Sequence, residues 1–208
     1  AVGGSGEHWS HPQDAAWLDS AALQVFAPWQ YEQPDFPFRR IDAQSRVRWL
    51  AGRSLRDGRR RHVPLAWARV PFLPLDAQEQ VFCSNSSGLA SGFSHAQALT
   101  SALLELCERD AFMVMWHQRL SLPRIEMEVD ELLDARSSAQ VAAENADVHF
   151  VGLTNDLRVP VAMCVLLRTW RGRRHLSIGL AARHCLRGAC RKAFYEAAGE
   201  HLRQRQQL

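Results

Sequence analysis

Apolar residues recur at helical spacing in two long segments of the chain. The stronger pattern predicts a helix over residues 186–204 with a continuous apolar stripe. The stripe consists of Leu186, Ala189, Cys190, Ala193, Phe194 and Ala197. A second long helix is predicted over residues 94–116, because Ser94 and Gln97 form the S-x-x-Q pattern of a capping box. Weaker periodicity predicts helices over residues 14–27 and 131–144.

Short apolar runs between turn residues predict strands. Two of them, residues 47–51 and 62–70, are separated by the turn signal Asp57-Gly58, and three more are expected at residues 148–153, 159–167 and 176–180. Residues 28–40 are expected to be a connection, and residues 1–13 to be disordered. Helices combined with hairpin-like strands predict the α+β class (mixed α/β), with helices packed on a mostly antiparallel or mixed sheet.

Composition narrows the functional classes. The 208 residues are 47% hydrophobic and 23% charged, which is typical of a globular protein with one domain. No apolar run approaches the roughly 18–20 residues of a membrane helix, and a net charge of +3 does not indicate a nucleic-acid surface. The five cysteines form no C-x-x-C pair, which favours reduced thiols and a cytoplasmic protein. Arg191 precedes the only lysine, Lys192, so a Walker-type phosphate loop is excluded.

An acidic stripe is the main chemical feature of the first long helix. Ser101, Glu105, Glu108 and Phe112 follow each other at i, i+4, i+7 and i+11, among mostly apolar neighbours. Buried carboxylates are costly unless cations, metals or donors meet them. Two interpretations stay open at this point. Glu105 forms a surface ion pair with Arg109, or Glu105 and Glu108 hold Mg²⁺ while Arg109 lies beside a phosphate.

The final helix and the loop before the first long helix add to the second interpretation. Glu196 borders the apolar stripe and Glu200 lies near its centre, where a charge is unexpected in a purely structural helix. A frayed terminus is the alternative explanation for Glu200. The small-residue loop over residues 84–92 has backbone N–H groups that can face an anion.

Several of these segments, taken in order, resemble the YcaO-domain family in its azoline-forming branch. SNSSGLASGFSHAQALTSALLELCERDAF resembles that family's glycine-loop-plus-E-x-x-E-R helix, and VRWLAGRSLRDGRRRHVPLAWARV resembles the preceding hairpin. Downstream, LTNDLRVPVAMCVLL and GLAARHCLRGACRKAFYEAAGE are similar to a strand segment and the last helix of the family. The resemblance covers residues 20–200.

The resemblance implies an ATP- and Mg²⁺-dependent cyclodehydratase that acts on a ribosomally synthesised precursor peptide. In the family a Cys, Ser or Thr side chain attacks the preceding carbonyl, ATP phosphorylates the resulting oxygen, and loss of phosphate leaves a thiazoline or oxazoline. By motif match, the implied ATP contacts are Ser101, Glu105, Glu108 and Arg109. The implied metal ligands are Glu105, Glu108 and Glu196. The expected partners are the precursor peptide, a leader-peptide-binding protein and a possible second copy of the chain, with neither nucleic acid nor membrane.

Two departures from the family pattern qualify that expectation. The family has an earlier S-x-x-x-E-x-x-E-R helix and a proline-rich C-terminal tail, and neither is found in these 208 residues. Residues 1–208 are therefore expected to form a single, partial YcaO-like domain. A non-catalytic remnant or peptide-binding scaffold is the alternative function, and thioamide formation is a third, less favoured one.

Overall fold

The computed structural model describes residues 7–10, 23–42, 44–143 and 145–207. The chain divides into two compact units, Ala1–Ser86 and Ser87–Leu208. The single partial domain expected over residues 1–208 stays a prediction. Along the described residues, no helix combines the length and apolar character needed to cross a membrane.

The first unit contains a three-stranded antiparallel sheet in the order β1-β2-β3. Its elements are β1 (Glu7–Ser10), α1 (Pro28–Tyr31), β2 (Val47–Arg53), β3 (Arg60–Pro64), α2 (Leu65–Ala68) and a 3₁₀ turn at Ala77–Glu79. The predicted β2–β3 hairpin is confirmed, although its second strand ends at Pro64 rather than at residue 70, because α2 begins there. The core of the unit surrounds the fully buried Trp49.

Two N-terminal expectations differ from the structure. The sequence predicts disorder over residues 1–13, yet Glu7–Ser10 pairs with β2 as an edge strand. The rest of that segment lies outside the described residues. The predicted helix over residues 14–27 lies mainly outside them as well. Its described end, residues 23–27, is not helical, and the one-turn helix α1 follows instead, with Pro28 at its first position.

The second unit is a four-stranded antiparallel sheet in the order β4-β5-β6-β7, between two long helices. Its elements are α3 (His95–Gln118), β4 (Arg124–Ile125), α4 (Val129–Leu132), α5 (Ala135–Ala143), β5 (Asp147–Gly152), β6 (Val161–Trp170), β7 (Arg173–Ala182) and α6 (Leu186–Gln207). Side chains alternate along a strand. Ala162 and Cys164 therefore pack under α6, whereas Val161 and Met163 pack under α3. The predicted α+β class is confirmed.

The helix predicted over residues 131–144 is wrong in one respect, since two short helices occupy this segment. The break lies at Leu133 and Asp134, where the Asp134 carboxylate accepts a hydrogen bond from the Ser137 N–H at 2.9 Å and so starts α5 anew. The hairpin β6–β7 is longer than predicted and turns at Arg171 and Gly172, as the sequence indicated. The final helix is confirmed and extends to Gln207.

Candidate functional site

The acidic helix α3 begins where its sequence predicts. The Ser94 hydroxyl accepts a hydrogen bond from the Gln97 N–H at 3.2 Å, and the Gln97 side chain accepts one from the Phe93 N–H at 2.9 Å. The reciprocal bond of the capping box therefore reaches one residue further back than the motif implies. With its first turn held in this way, α3 presents its acidic stripe towards α6 and the end of β7.

The predicted site residues of the two long helices meet at one cavity of about 320 Å³, which we call the carboxylate cavity. Four of its lining residues come from α3, two from α6, and two from the segments that precede these helices. They are Ser101, Glu105, Glu108 and Arg109; Lys192 and Glu196; and Ala90 and Arg183. Residues from both ends of the second unit thus line one predominantly polar cavity.

Glu108 is the most buried acid of this cavity, with 7% of its surface exposed. One carboxylate oxygen accepts a hydrogen bond from the Ala182 N–H at 3.2 Å and lies 3.9 Å from Lys192 Nζ. Burial raises the pKa of Glu108, and the nearby charge of Glu196 adds to this, whereas Lys192, the Ala182 amide and Arg109 oppose it. The net shift is upward, so the donors around Glu108 do not fully compensate its charge.

Lys192 and Glu196 form the α6 side of the cavity. They lie one helical turn apart, and Lys192 Nζ contacts the Glu196 carboxylate at 2.6 Å. The lysine therefore stands between two carboxylates, close to Glu196 and at the limit of an ion pair with Glu108. Both α6 side chains are partly accessible to solvent. A ligand entering the cavity can reach them.

The surface pair considered from the sequence is also present. Arg109 lies 3.4 Å from the Glu105 carboxylate, and the arginine is half exposed. An exposed i,i+4 pair of this kind stabilises a helix by only about 0.3–0.5 kcal/mol. Both side chains nevertheless line the carboxylate cavity. The ion pair and the cavity location are therefore compatible, and the pair is weak enough to rearrange around a ligand.

Close packing of α6 on β7 sets the position of Lys192 and Glu196. A Cβ atom on Gly179 of β7 would lie 2.0 Å from the Ala193 carbonyl oxygen and 2.4 Å from the Ala197 nitrogen. Only glycine allows the helix to rest this near to the strand. The sequence signal for this contact is the pairing of Gly179 with the alanine-rich stripe of α6.

Two lining residues, Arg183 and Lys192, had no assigned role in the sequence reasoning. For Lys192 the sequence excludes a Walker-type loop and indicates nothing further, although its i,i+4 spacing to Glu196 is a usable signal. Glu200 lies within α6 and pairs with Arg203 at 2.6 Å. It lines a neighbouring cavity of about 600 Å³ together with Glu108, Arg109 and Glu196. The frayed terminus considered for Glu200 is therefore not what the structure shows.

The donor set of the cavity suits a magnesium–nucleotide complex better than a resident metal. Among the described residues, no three His, Cys, Asp or Glu side chains are close enough to hold an ion by themselves. Mg²⁺ is usually bound by one or two carboxylates, waters and the phosphates of a substrate. Glu108 is a buried carboxylate whose charge is not fully compensated, and three cationic side chains line the same cavity. These residues fit Mg²⁺ that arrives with phosphate.

Comparison with known proteins identifies the family. Residues 5–207 match the family model described as YcaO cyclodehydratase, ATP- and Mg²⁺-binding. ATP and Mg²⁺, the cofactors expected from the sequence, are thus those by which the matching family is described. An uncharacterized protein of Methanothermobacter thermautotrophicus is 26% identical over 159 residues, which cover 75% of this chain and 38% of that protein.

Solved structures share the fold. A heterocyclase in complex with substrate and cofactor superposes with a TM-score of 0.75 at 22% identity, covering 92% of this chain and 27% of that one. YcaO from Methanopyrus kandleri, bound with AMPPCP and Mg²⁺, gives a TM-score of 0.66 at 19% identity, covering 96% of this chain and 48% of that one. The chain therefore spans half or less of the length of each of these proteins.

Proposed function

The chain belongs to the YcaO family, and on that premise we propose that its carboxylate cavity binds Mg²⁺ and ATP for the cyclodehydration of Cys, Ser or Thr residues in a ribosomally synthesised precursor peptide. Glu105, Glu108 and Glu196 are the proposed metal ligands. Ser101, Glu105, Glu108 and Arg109 are the proposed nucleotide contacts. A leader-peptide-binding partner protein and a second copy of the chain are proposed partners.

The observation that carries this proposal is the electrostatic state of Glu108. Its carboxylate is buried, its pKa is raised chiefly by that burial, and its nearest cation is 3.9 Å away. A divalent cation bound to this oxygen supplies the positive charge that Lys192 and one amide supply only in part. Glu105 and Glu196 line the same cavity, where each can serve as a further ligand of an ion whose remaining ligands are phosphate oxygens and waters.

The cationic side chains of the cavity suit the phosphates. Arg109 and Arg183 carry planar guanidinium groups that bind phosphate oxygens in a bidentate manner. Lys192 is a compact charge on the α6 side, next to Glu196. When ATP is bound, its phosphoryl group converts a poorly leaving amide oxygen into a good leaving group. The residues of this chain then serve to orient the phosphates and neutralise their charge.

Isothermal titration of the protein with ATP in the presence of Mg²⁺ tests the site. We expect Glu108→Gln to lower the ATP affinity by at least about tenfold, because the amide keeps the shape of the side chain but loses its charge. The matched control is Glu126→Gln in the same unit. Glu126 is highly exposed, and its carboxylate makes a long, weak ion pair with Arg124 at 3.8 Å. This variant should bind ATP like the wild type.

Equal ATP affinities for the wild type, Glu108→Gln and Glu126→Gln would remove Glu108 from the site. A folded wild type that binds no ATP at all would refute the proposed function. Loss of binding in both variants would show that overall negative charge, and not the carboxylate cavity, controls the affinity.

A non-catalytic, peptide-binding scaffold is the second candidate. It is the alternative function that the residues of the sequence leave open. Mass spectrometry of a precursor peptide treated with protein, ATP and a partner protein separates the candidates. Cyclodehydration lowers the peptide mass by one water, and thioamide formation raises it through exchange of oxygen for sulfur. An unchanged peptide that still binds the protein supports the scaffold.

A further inference from the structure

We propose that the tip of the β2–β3 hairpin, residues 53–61, is a docking surface for an acidic segment of a peptide. Five arginines and one aspartate lie within these residues, whereas the whole chain has a net charge of only +3. Five arginines against one aspartate give this short segment a strongly positive local charge. Neither the carboxylate cavity nor the proposed chemistry accounts for it.

Hydrogen bonds within the turn hold the backbone of the tip. The Ser54 N–H donates to the Arg59 carbonyl at 2.9 Å, and the Gly58 N–H donates to the Ser54 carbonyl at 2.9 Å. The Asp57 carboxylate accepts a hydrogen bond from the Arg59 N–H at 3.0 Å. Gly58 has a φ of 70°, a left-handed conformation that glycine adopts without strain. A loop held in this way loses little further freedom when a partner binds.

The hairpin carries an unfavourable contact that an anion relieves. Arg53 and Arg60 are directly opposed in the β2–β3 register, and like charges in that position destabilise a sheet. Among the described residues, Asp57 pairs with Arg61 at 3.1 Å, but no acidic side chain pairs with Arg53, Arg59 or Arg60. All three are exposed. Carboxylates between these guanidinium groups would remove the repulsion and form charge-assisted hydrogen bonds.

An acidic peptide fits this surface better than a nucleic acid does. Proteins that bind single-stranded nucleic acid combine basic side chains with aromatic rings on which bases stack. Residues 53–61 contain no aromatic residue, and their apolar member, Leu55, is 65% exposed at the tip. Arginines around an exposed leucine match a segment in which acidic and aliphatic residues alternate. Identifying this segment as part of the substrate rests on the proposed function; the docking itself does not.

Fluorescence anisotropy with defined probes tests the proposal. The probe is a fluorescein-labelled peptide in which glutamate alternates with serine and leucine, and its control has glutamine in place of every glutamate. We expect the wild type to bind the glutamate peptide at least about tenfold more tightly than the glutamine peptide, with the difference decreasing as salt is added. The double variant Arg53→Gln/Arg60→Gln should lose most of this preference.

A matched variant separates the tip from general charge. Arg173→Gln/Arg174→Gln removes the same charge from the exposed start of β7 in the other hairpin, and should bind the glutamate peptide like the wild type. A third variant, Arg53→Lys/Arg60→Lys, keeps the charge but loses the bidentate geometry, and should show an intermediate affinity. It also serves if the glutamine variant fails to fold.

The outcomes decide between distinct conclusions. Equal losses in the two glutamine double variants, or no preference of the wild type for the glutamate peptide, would overturn the proposal. Tighter binding of an oligothymidylate than of the peptide, lost in Arg53→Gln/Arg60→Gln, would make the tip a nucleic-acid surface instead. Titration of the hairpin variants with ATP and Mg²⁺ should match the wild type. Failure of peptide docking therefore leaves the nucleotide site standing, and the converse also holds.

Discussion

Glu79 in the first unit and Glu108 in the second are both buried carboxylates, 1% and 7% exposed, but their surroundings differ. Glu79 receives a fork of hydrogen bonds from the Arg48 guanidinium, at 2.7 and 2.9 Å, and further bonds from the Leu75 and Arg48 N–H groups at 2.8 and 3.2 Å. Glu108 receives one bond from an amide and has a lysine 3.9 Å away. The two acids are both buried, and they differ in how fully neighbouring donors and cations compensate their negative charge.

The pKa values of the two acids shift in opposite directions as a result. At Glu79 burial pushes the pKa up, but the hydrogen bonds from Arg48 and the two amides outweigh it and hold the pKa below its usual value. At Glu108 burial prevails and the pKa is raised. A fully compensated buried acid stabilises its fold, whereas a partly compensated acid lining a cavity is suited to binding a cation. The comparison therefore separates a structural carboxylate from a candidate ligand-binding one.

Removing Arg48, whose guanidinium compensates the charge of Glu79, should have the largest effect on stability. Arg48→Gln leaves the Glu79 carboxylate buried without its fork, and we expect the free energy of unfolding to fall by about 3–5 kcal/mol. Urea denaturation measures this loss. The control Arg39→Gln alters an exposed arginine of the same unit and should change the stability by less than about 0.5 kcal/mol. Similar values for both variants would show that the fork contributes nothing special.

Displacing helix α6, which forms one side of the carboxylate cavity, should have the second-largest effect on stability. Gly179→Ala places a methyl group 2.0 Å from the Ala193 carbonyl oxygen, so α6 must move. We expect a loss of about 1–3 kcal/mol in stability and a weaker affinity for ATP, because Lys192 and Glu196 move away from Glu108. The control is Gly199→Ala in α6, where an added Cβ meets nothing within 4 Å. It should stabilise the helix by about 0.5–1 kcal/mol. Wild-type ATP binding by Gly179→Ala would contradict the role of this packing.

The sequence predicts the second unit better than the first because its signals are local. The cap at Ser94, the acidic stripe with Glu105 and Glu108, and the apolar stripe of α6 all arise within a helical turn or two, and the structure brings Glu196 to the same cavity. The ion pair of Glu79 and Arg48 joins residues 31 positions apart and leaves no periodic pattern.

Neutralising Glu108, the partly compensated acid, should have a small effect on stability. We expect Glu108→Gln to be within about 1 kcal/mol of the wild type or more stable, because an amide is cheaper to bury than a partly compensated charge. Urea denaturation without ligand checks this, and the same variant should bind ATP poorly. A loss of stability as large as that of Arg48→Gln would make Glu108 a structural residue like Glu79.

The pH dependence of stability should differ in sign between the two acids. Since the pKa of Glu79 is lowered from 4.5, the advantage of the wild type over Glu79→Gln is complete above that value and is lost as the pH falls through the lowered pKa. The pKa of Glu108 is raised from 4.5. The free energy of unfolding of the wild type, relative to that of Glu108→Gln, is therefore highest below 4.5 and falls as the pH rises through the raised pKa. Stability curves of the same sign would contradict the comparison.

Measuring ATP affinity with and without Mg²⁺, in the wild type and in Glu108→Gln, tests whether the buried Glu108 carboxylate binds a divalent cation. If it does, Mg²⁺ strengthens ATP binding by at least about tenfold in the wild type and by no more than about twofold in the variant, since the coupling requires the charge of Glu108. An identical response to Mg²⁺ in both proteins would show that the cation binds elsewhere, and that Glu108 is buried for another reason.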